Sequence, residues 1–264
     1  MIESLQNEQV KYVVSLHRRK AREEANLFVI EGWRFVEEGV LRNAPIKKVY
    51  VCLEREPLEW RPLLNKLRER GIPFEEVDER VLRKMSATEE PQGILAVVRQ
   101  KNYSWSDLHI NPETVMLIVD GVQDPGNLGT ILRTALASGV QYVCLTQGTV
   151  DLYNPKVLRS TMGAIFSLVL IPGRQPEEIL EFCRKQRLSV FMGDIEGVPV
   201  YQTKLSAGPL ALVVGNEGKG PSQAFREADI QRITIPMAQE VESLNVAMAT
   251  GILLYEIVRQ RGFL

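Results

Sequence analysis

Followed by its apolar and polar positions, the chain falls into two successive alternations of strand-like and helix-like segments. In the first, Leu27-Phe28-Val29-Ile30, Val49-Tyr50-Val51-Cys52-Leu53 and Gly93-Ile94-Leu95-Ala96-Val97-Val98 are short apolar runs of the kind buried strands carry, with a helical stretch from Leu58 to Arg70 among them. From Lys101 to Glu113 the pattern lapses into polar and aromatic residues around Asn111-Pro112, as an interdomain linker does. The second alternation predicts a strand from Val115 to Val119, a helix from about Asn127 to Ser138, a strand from Tyr142 to Leu145 and a helix from Pro176 to Gln186. Strands Ser189 to Met192, Leu210 to Val214 and Arg232 to Ile235 follow, and a last helix runs from Asn245 to Arg261. Strands alternating with helices imply an α/β fold with a mostly parallel sheet covered on both faces. The expected division is a small α/β domain at 1–100, a linker at 101–113 and a larger domain at 114–264.

Composition narrows the partners. The 264 residues, 45% of them hydrophobic, suffice for one large domain or two ordinary ones. Lys plus Arg number 32 against 33 Asp plus Glu, so a polyanion has to be met by a local patch and not by an overall field. The opening Met1-Ile2-Glu3-Ser4-Leu5 has no basic region leading into an apolar stretch, and no run approaches the roughly 20 apolar residues that span a bilayer. The expectation is a cytoplasmic protein with no membrane partner. Cys52, Cys144 and Cys183 are odd in number and set in apolar patterns, which suits reduced core thiols, and neither they nor His17 and His109 form a metal-ligand spacing.

In open parallel sheets the ligand crevice lies beyond the carboxyl ends of the strands. Three segments occupy that position: Asp120 to Gly129 after the first strand, Gly215 to Ser222 after Leu212-Val213-Val214, and Ile235-Pro236-Met237 with Glu242 to Ala247 ahead of the last helix. Each is punctuated by Gly or Pro and carries Asn or Ser. Any one of them could be an ordinary tight turn; three at strand ends suit a small-molecule site built from main-chain groups. The spacing of Gly215, Gly218 and Gly220 reverses the dinucleotide fingerprint, and Lys219 is followed by Gly220 where a P-loop needs Ser or Thr.

The segments DGVQDPGNLGTILRTALASGV, VVGNEGKGPS and ITIPMAQEVESLNVAMATGILLYE resemble, in order, the three signature motifs of the SPOUT superfamily in its SpoU/TrmH branch of RNA 2'-O-ribose methyltransferases. The stretch Phe28 to Glu38 resembles the substrate-binding domain often attached to such enzymes, whose fold is like that of ribosomal protein L30e. The resemblance implies a C-terminal domain with a deep trefoil knot, a homodimer formed through that domain, and S-adenosylmethionine as cofactor. Its contacts by motif matching are Gly215, Ile235 and Leu244 together with Asn216 and Gly218; Thr146, Met192 and Gly193, at other strand ends, are further candidate contacts.

The same matching implies Asn127, Arg133, Glu217, Ser243 and Asn245 as the catalytic polar residues. Methyl transfer to a ribose hydroxyl is an in-line displacement that needs alignment, loss of a proton and stabilisation of charge. Arg133, six residues after Asn127, has reach toward a phosphate or hydroxyl, and its high pKa favours positioning over proton abstraction. Ser243 and Asn245 sit where helix capping competes with catalysis, and Glu217 could be a solvated loop carboxylate. For RNA, the basic run containing Arg18, Arg19, Lys20 and Arg22 could contact phosphates or form a solvated helix face, and Lys156 and Arg159 resemble a family segment near the substrate. Ribosomal RNA is the expected substrate. The alternatives are a transfer RNA 2'-O-methyltransferase, a methylase acting on a base, or an inactive RNA-binding assembly factor on the same scaffold.

Overall fold

The computed structural model describes residues 1–55, 60–238 and 242–262, the side chain of Arg55 excepted. Packing divides the chain into two compact units: Met1–Lys101 with Tyr153–Phe166, and Asn102–Leu152 with Ser167–Leu264.

The first unit contains, in chain order, α1 (Glu8–Ser15), α2 (Arg19–Ala25), β1 (Leu27–Glu31), α3 (Trp33–Leu41), β2 (Ile46–Val51), α4 (Arg61–Glu69), β3 (Phe74–Glu76), α5 (Glu79–Met85) and β4 (Ile94–Arg99). The three expected strands are present, and the mixed sheet has the order β1-β4-β2-β3, only the β2–β3 pair being parallel. The expected start of a helix at Leu58 lies outside the described residues. The short helices α1, α2, α3 and α5 and the three-residue β3 went unread because each is shorter than the window of roughly 11 or more residues over which a period stands out. Asn7 and Asp78 cap α1 and α5 by accepting from Gln9 N–H at 2.9 Å and Val81 N–H at 2.7 Å.

The second unit carries β5 (Val115–Val119), α6 (Pro125–Ala137) and β6 (Tyr142–Thr146). After α7 (Pro155–Thr161), which belongs to the first unit, it continues with β7 (Val169–Arg174), α8 (Pro176–Lys185), β8 (Ser189–Pro199), β9 (Leu210–Val214), α9 (Gln223–Glu227), β10 (Gln231–Thr234) and α10 (Val246–Arg261). Its six strands lie in the order β10-β8-β9-β5-β6-β7 and every pairing is parallel. The central β5 and β9 are buried at every position, which is why they read as unbroken apolar runs. Cys144 and Cys183 are free thiols in the core of this unit and Cys52 in that of the first. Burial pushes the Cys183 thiol up to about 12.

Two stretches depart from the expected boundaries. The expected linker is packed onto the second unit: the Trp105 ring stacks on Phe182 at 4.4 Å, its indole N–H donates to Glu178 at 2.5 Å, and Leu108 is buried. Conversely, residues 153–166 lie within the expected methylase domain yet complete the first unit. Tyr153 lies 4.7 Å from Phe28 and Phe166 lies 5.4 Å from Phe35, ring to ring, and Val157, Leu158, Ala164 and Ile165 are buried. The apolar side of this excursion finds its cover there. Among the described residues no helix is long and apolar enough to cross a membrane.

Candidate active site

The site is assembled at the carboxyl end of the parallel sheet. Beyond β5 the chain turns through Gly121, and Asp124 caps α6 by accepting from Asn127 N–H at 2.8 Å, with Pro125 at the first helical position. The helix therefore starts two residues earlier than its apolar period suggested, which places Asn127 in the first turn with its amide turned out of the helix. The Glu217 carboxylate, from the loop after β9, closes onto this turn. Its Oε1 accepts from Asp124 N–H at 3.0 Å and from Asn127 Nδ2 at 3.1 Å, and its Oε2 from Gln123 N–H at 3.1 Å. Partial burial raises the pKa of Glu217, but the donors at Asp124, Asn127 and Gln123 outweigh it and hold the carboxyl below its ordinary value.

The loop after β9 is tied at both ends. Gly215 is required: a Cβ there would overlap Pro221 N and Gly220 C, because the loop doubles back on itself through reciprocal Asn216–Gly220 main-chain hydrogen bonds of 3.0 and 2.9 Å. The Asn216 side chain accepts from Gly218 and Lys219 N–H, both at 3.0 Å, and donates to Gly121 O at 2.8 Å, so it joins the first two loops. Arg226 donates to Pro221 O at 2.8 Å and Lys219 O at 2.6 Å. Behind the loops the buried Asp120 accepts from Thr146 Oγ1 at 2.9 Å and Ser222 N–H at 2.5 Å.

The third segment enters α10 through Asn245, whose Oδ1 caps the helix by accepting from Ala247 N–H at 2.9 Å and Met248 N–H at 3.3 Å. Its Nδ2 donates to Asn127 Oδ1 at 2.9 Å. Capping and site geometry are thus not rivals: the two polar ends of one amide serve each. A continuous polar chain runs Glu217, Asn127, Asn245 across all three motif segments. Beside it opens a cleft of about 330 Å³ walled by the loop from Val214 to Pro221, by Gly193, Asp194 and Ile195 of β8, by Ile233 to Ile235 and by Ser243 and Leu244.

Of the residues singled out in the sequence, Gly193, Gly215, Asn216, Gly218, Ile235 and Leu244 line the cleft with Glu217 and Ser243. Thr146 does not. It is buried, and its hydroxyl donates to Asp120 while accepting from Gly121 N–H at 3.0 Å, so it buttresses the first loop from behind. Met192 is likewise buried in the core, away from the cleft lining. Arg133 is exposed on α6. Sequence reasoning missed Asp194, Lys219, Arg226 and Glu242 in the lining. Asp194 carried no signal, because β8 was expected to end at Met192 and instead runs on to Pro199. The six basic candidates all belong to the first unit. Arg18, Lys156 and Arg159 are exposed; Arg19 and Lys20 pair with Glu23 and Glu24 one turn on, at 2.7 and 3.9 Å. Arg22 is a correction: it is buried, donating to Leu16 O and His17 O at 2.8 Å each, and locks the turn between α1 and α2 in place of meeting a ligand.

Known proteins share this architecture. Residues 114–255 match the SpoU rRNA Methylase family and residues 7–96 the MRM3-like substrate binding domain. A 23S rRNA guanosine 2'-O-methyltransferase of Bacillus subtilis is 34% identical over 97% of this chain and 98% of its own length. One from Pasteurella multocida is 39% identical over 84% of this chain and 94% of its own. The crystal structure of an AdoMet-bound rRNA methyltransferase from Sinorhizobium meliloti superposes with a TM-score of 0.85 at 30% identity, covering 98% of this chain and 97% of that one.

Proposed function

Because the chain belongs to the SpoU rRNA methylase family, we propose that the cleft of the second unit holds S-adenosylmethionine and that the polar groups beside it act on a ribose of ribosomal RNA. The protein is an S-adenosylmethionine-dependent RNA 2'-O-methyltransferase. The observation that carries the site assignment is the hydrogen-bonded chain Glu217–Asn127–Asn245, which ties residues 118 positions apart to Glu217 at the cleft wall.

The cleft fits the cofactor chemically. Val214, Ile233, Ile235, Leu244 and Leu253 give apolar walls for a purine, and the main chain of the Gly215 to Gly220 loop offers polar groups at its edge. When bound, the cofactor would supply a methyl group on a cationic sulfur for transfer to the ribose 2'-oxygen, leaving a neutral thioether, with the hydroxyl proton lost to water. The residues of this chain supply alignment. Asn127 presents an amide fixed from both sides by Glu217 and Asn245, Arg133 places a substrate phosphate or hydroxyl further along α6, and Ser243 offers an exposed hydroxyl at the cleft wall. Glu217, already accepting from four N–H groups, the Asn216 amide among them, acts through Asn127 as a positioning residue.

Arg18, Arg19, Lys20, Lys156 and Arg159 give the first unit its phosphate contacts, the first three in keeping with the substrate-binding match over residues 7–96. The homodimer through the C-terminal domain is supported by α10, where Met248 and Tyr255 stand exposed at helical spacing. The knot is the arrangement of the SPOUT family, and a ribosomal RNA substrate supports a cytoplasmic location.

The test is transfer of labelled methyl from S-adenosylmethionine to RNA from a strain lacking the protein, followed by nucleoside mass spectrometry. A 2'-O-methylnucleoside that forms with the wild type and not with Arg133→Ala supports the reading; a base-methylated nucleoside overturns it.

A further inference from the structure

Among the described residues five charged side chains line the cleft: the carboxylates of Asp194, Glu217 and Glu242 and the cations Lys219 and Arg226. Together they leave one surplus negative charge. Their placement is uneven, since both cations stand on the segment that follows β9, whereas Asp194 rides on β8 and Glu242 on the segment leading into α10. Glu217 is taken up by the first motif loop and Arg226 by the carbonyls of Lys219 and Pro221. Asp194 is used only locally, its Oδ1 accepting from Ile195 N–H at 2.7 Å, and among the described residues neither Asp194 nor Glu242 forms an ion pair.

On the reading of this cleft as the cofactor site, the ligand before reaction carries a carboxylate, an ammonium and a sulfonium, one net positive charge. After the methyl leaves, the sulfur is a neutral thioether and the net charge is zero. A cleft with one surplus negative charge therefore meets substrate and product differently. We propose that Asp194, assisted by Glu242, makes the cleft select the cationic cofactor over its neutral thioether product, so that methyl transfer itself loosens the spent nucleoside. Asp194 is the principal group because it is half-buried on the strand, where screening is weaker than at the exposed Glu242. An alternative use of the Asp194 carboxylate, binding the ribose diol of a nucleoside, weakens both ligands alike when the charge is removed.

The experiment is calorimetric titration of the intact protein with S-adenosylmethionine and with S-adenosylhomocysteine, for the wild type, Asp194→Asn, Glu242→Gln and Lys219→Met. Asparagine keeps the Oδ1 acceptor for Ile195 N–H, so the fold is retained and only the charge is lost. Asp194→Asn is expected to lower the preference for the sulfonium ligand about fivefold, or ~1 kcal/mol, while leaving affinity for the thioether nearly unchanged. Glu242→Gln lowers it less, Lys219→Met raises it, and about 1 M salt compresses every difference as the screening length falls to about 3 Å. Equal weakening of both ligands by Asp194→Asn, or an unchanged preference, overturns this inference alone. Failure of the wild type to bind either nucleoside overturns the cofactor reading with it.

Discussion

Replacing Glu217 by glutamine isolates the clasp between the first two motif segments. The carboxylate accepts from Gln123 N–H, Asp124 N–H and Asn127 Nδ2 at 3.0–3.1 Å. In Glu217→Gln one oxygen becomes an NH2 group that faces donors, so at least one of these bonds is lost and the rest lose their ionic assistance. Charge-assisted bonds contribute about 1.5–3 kcal/mol each when buried. Glu217 is exposed, so about 2 kcal/mol in all is the scale to expect after solvent screening. If Asn127 is aligned through this carboxylate, kcat/KM falls about thirtyfold. The pH dependence has a fixed sign. A carboxyl held below its ordinary value of 4.5 contributes stability above that pH and loses it as pH falls through the lower folded value. Thermal unfolding of wild type and variant, followed from pH 7 down to pH 3, should therefore show a midpoint gap at neutral pH that closes on the acid side of 4.5. A variant whose kcat/KM stays within about threefold of wild type, with an unfolding midpoint unchanged at pH 7, would refute the clasp.

Other substitutions separate the remaining roles. Gly215→Ala forces a methyl into Pro221 and Gly220 and is expected to cost about 3 kcal/mol, abolishing S-adenosylmethionine binding in calorimetry while unfolding of the first unit is unaffected. Arg22→Ala removes a buried cation from two carbonyls and should lower the thermal midpoint, a loss of about 2–4 kcal/mol, with no change in the salt slope of RNA binding. The pair Lys156→Ala and Arg159→Ala should do the reverse, lowering that slope by about 1.5 in filter-binding titrations across salt at unchanged stability. Asn245→Asp keeps the helix cap and loses the donor to Asn127, so methyl transfer should fall at least tenfold, by about 1.4 kcal/mol or more, while circular dichroism melting moves little.

The sequence made the second unit readable because its central strands are covered on both faces, and residues that leave β5 and β9 as Gly, Asn and Pro announce turns at the strand ends where ligands collect. Strand order was not readable: nothing local distinguishes the neighbour of β9 from that of β7, since pairing depends on crossovers that the chain makes at long range. Arg22 misled for a related reason. It stands in a run of cations that looks solvated, and only the fold back of α2 onto the end of α1 brings the carbonyls of Leu16 and His17 to it. Thr146 misled through its position at a strand end, where the crevice side is taken by Gly121 and the hydroxyl turns to Asp120. Asp194 was invisible because no spacing marks a single carboxylate in a strand that outlasts its apolar run.

The excursion of residues 153–166 sets an order of events during synthesis. Phe28 and Phe35 are made early, yet the rings that cover them, Tyr153 and Phe166, are made after the first half of the second unit. A nascent chain that has reached only Lys101 presents an unfinished surface at β1 and α3, and the first unit closes only once Phe166 has emerged. Cutting the chain at its apparent linker therefore yields a fragment with bare aromatic faces, prone to association, and a self-contained N-terminal piece must carry the later segment grafted back on.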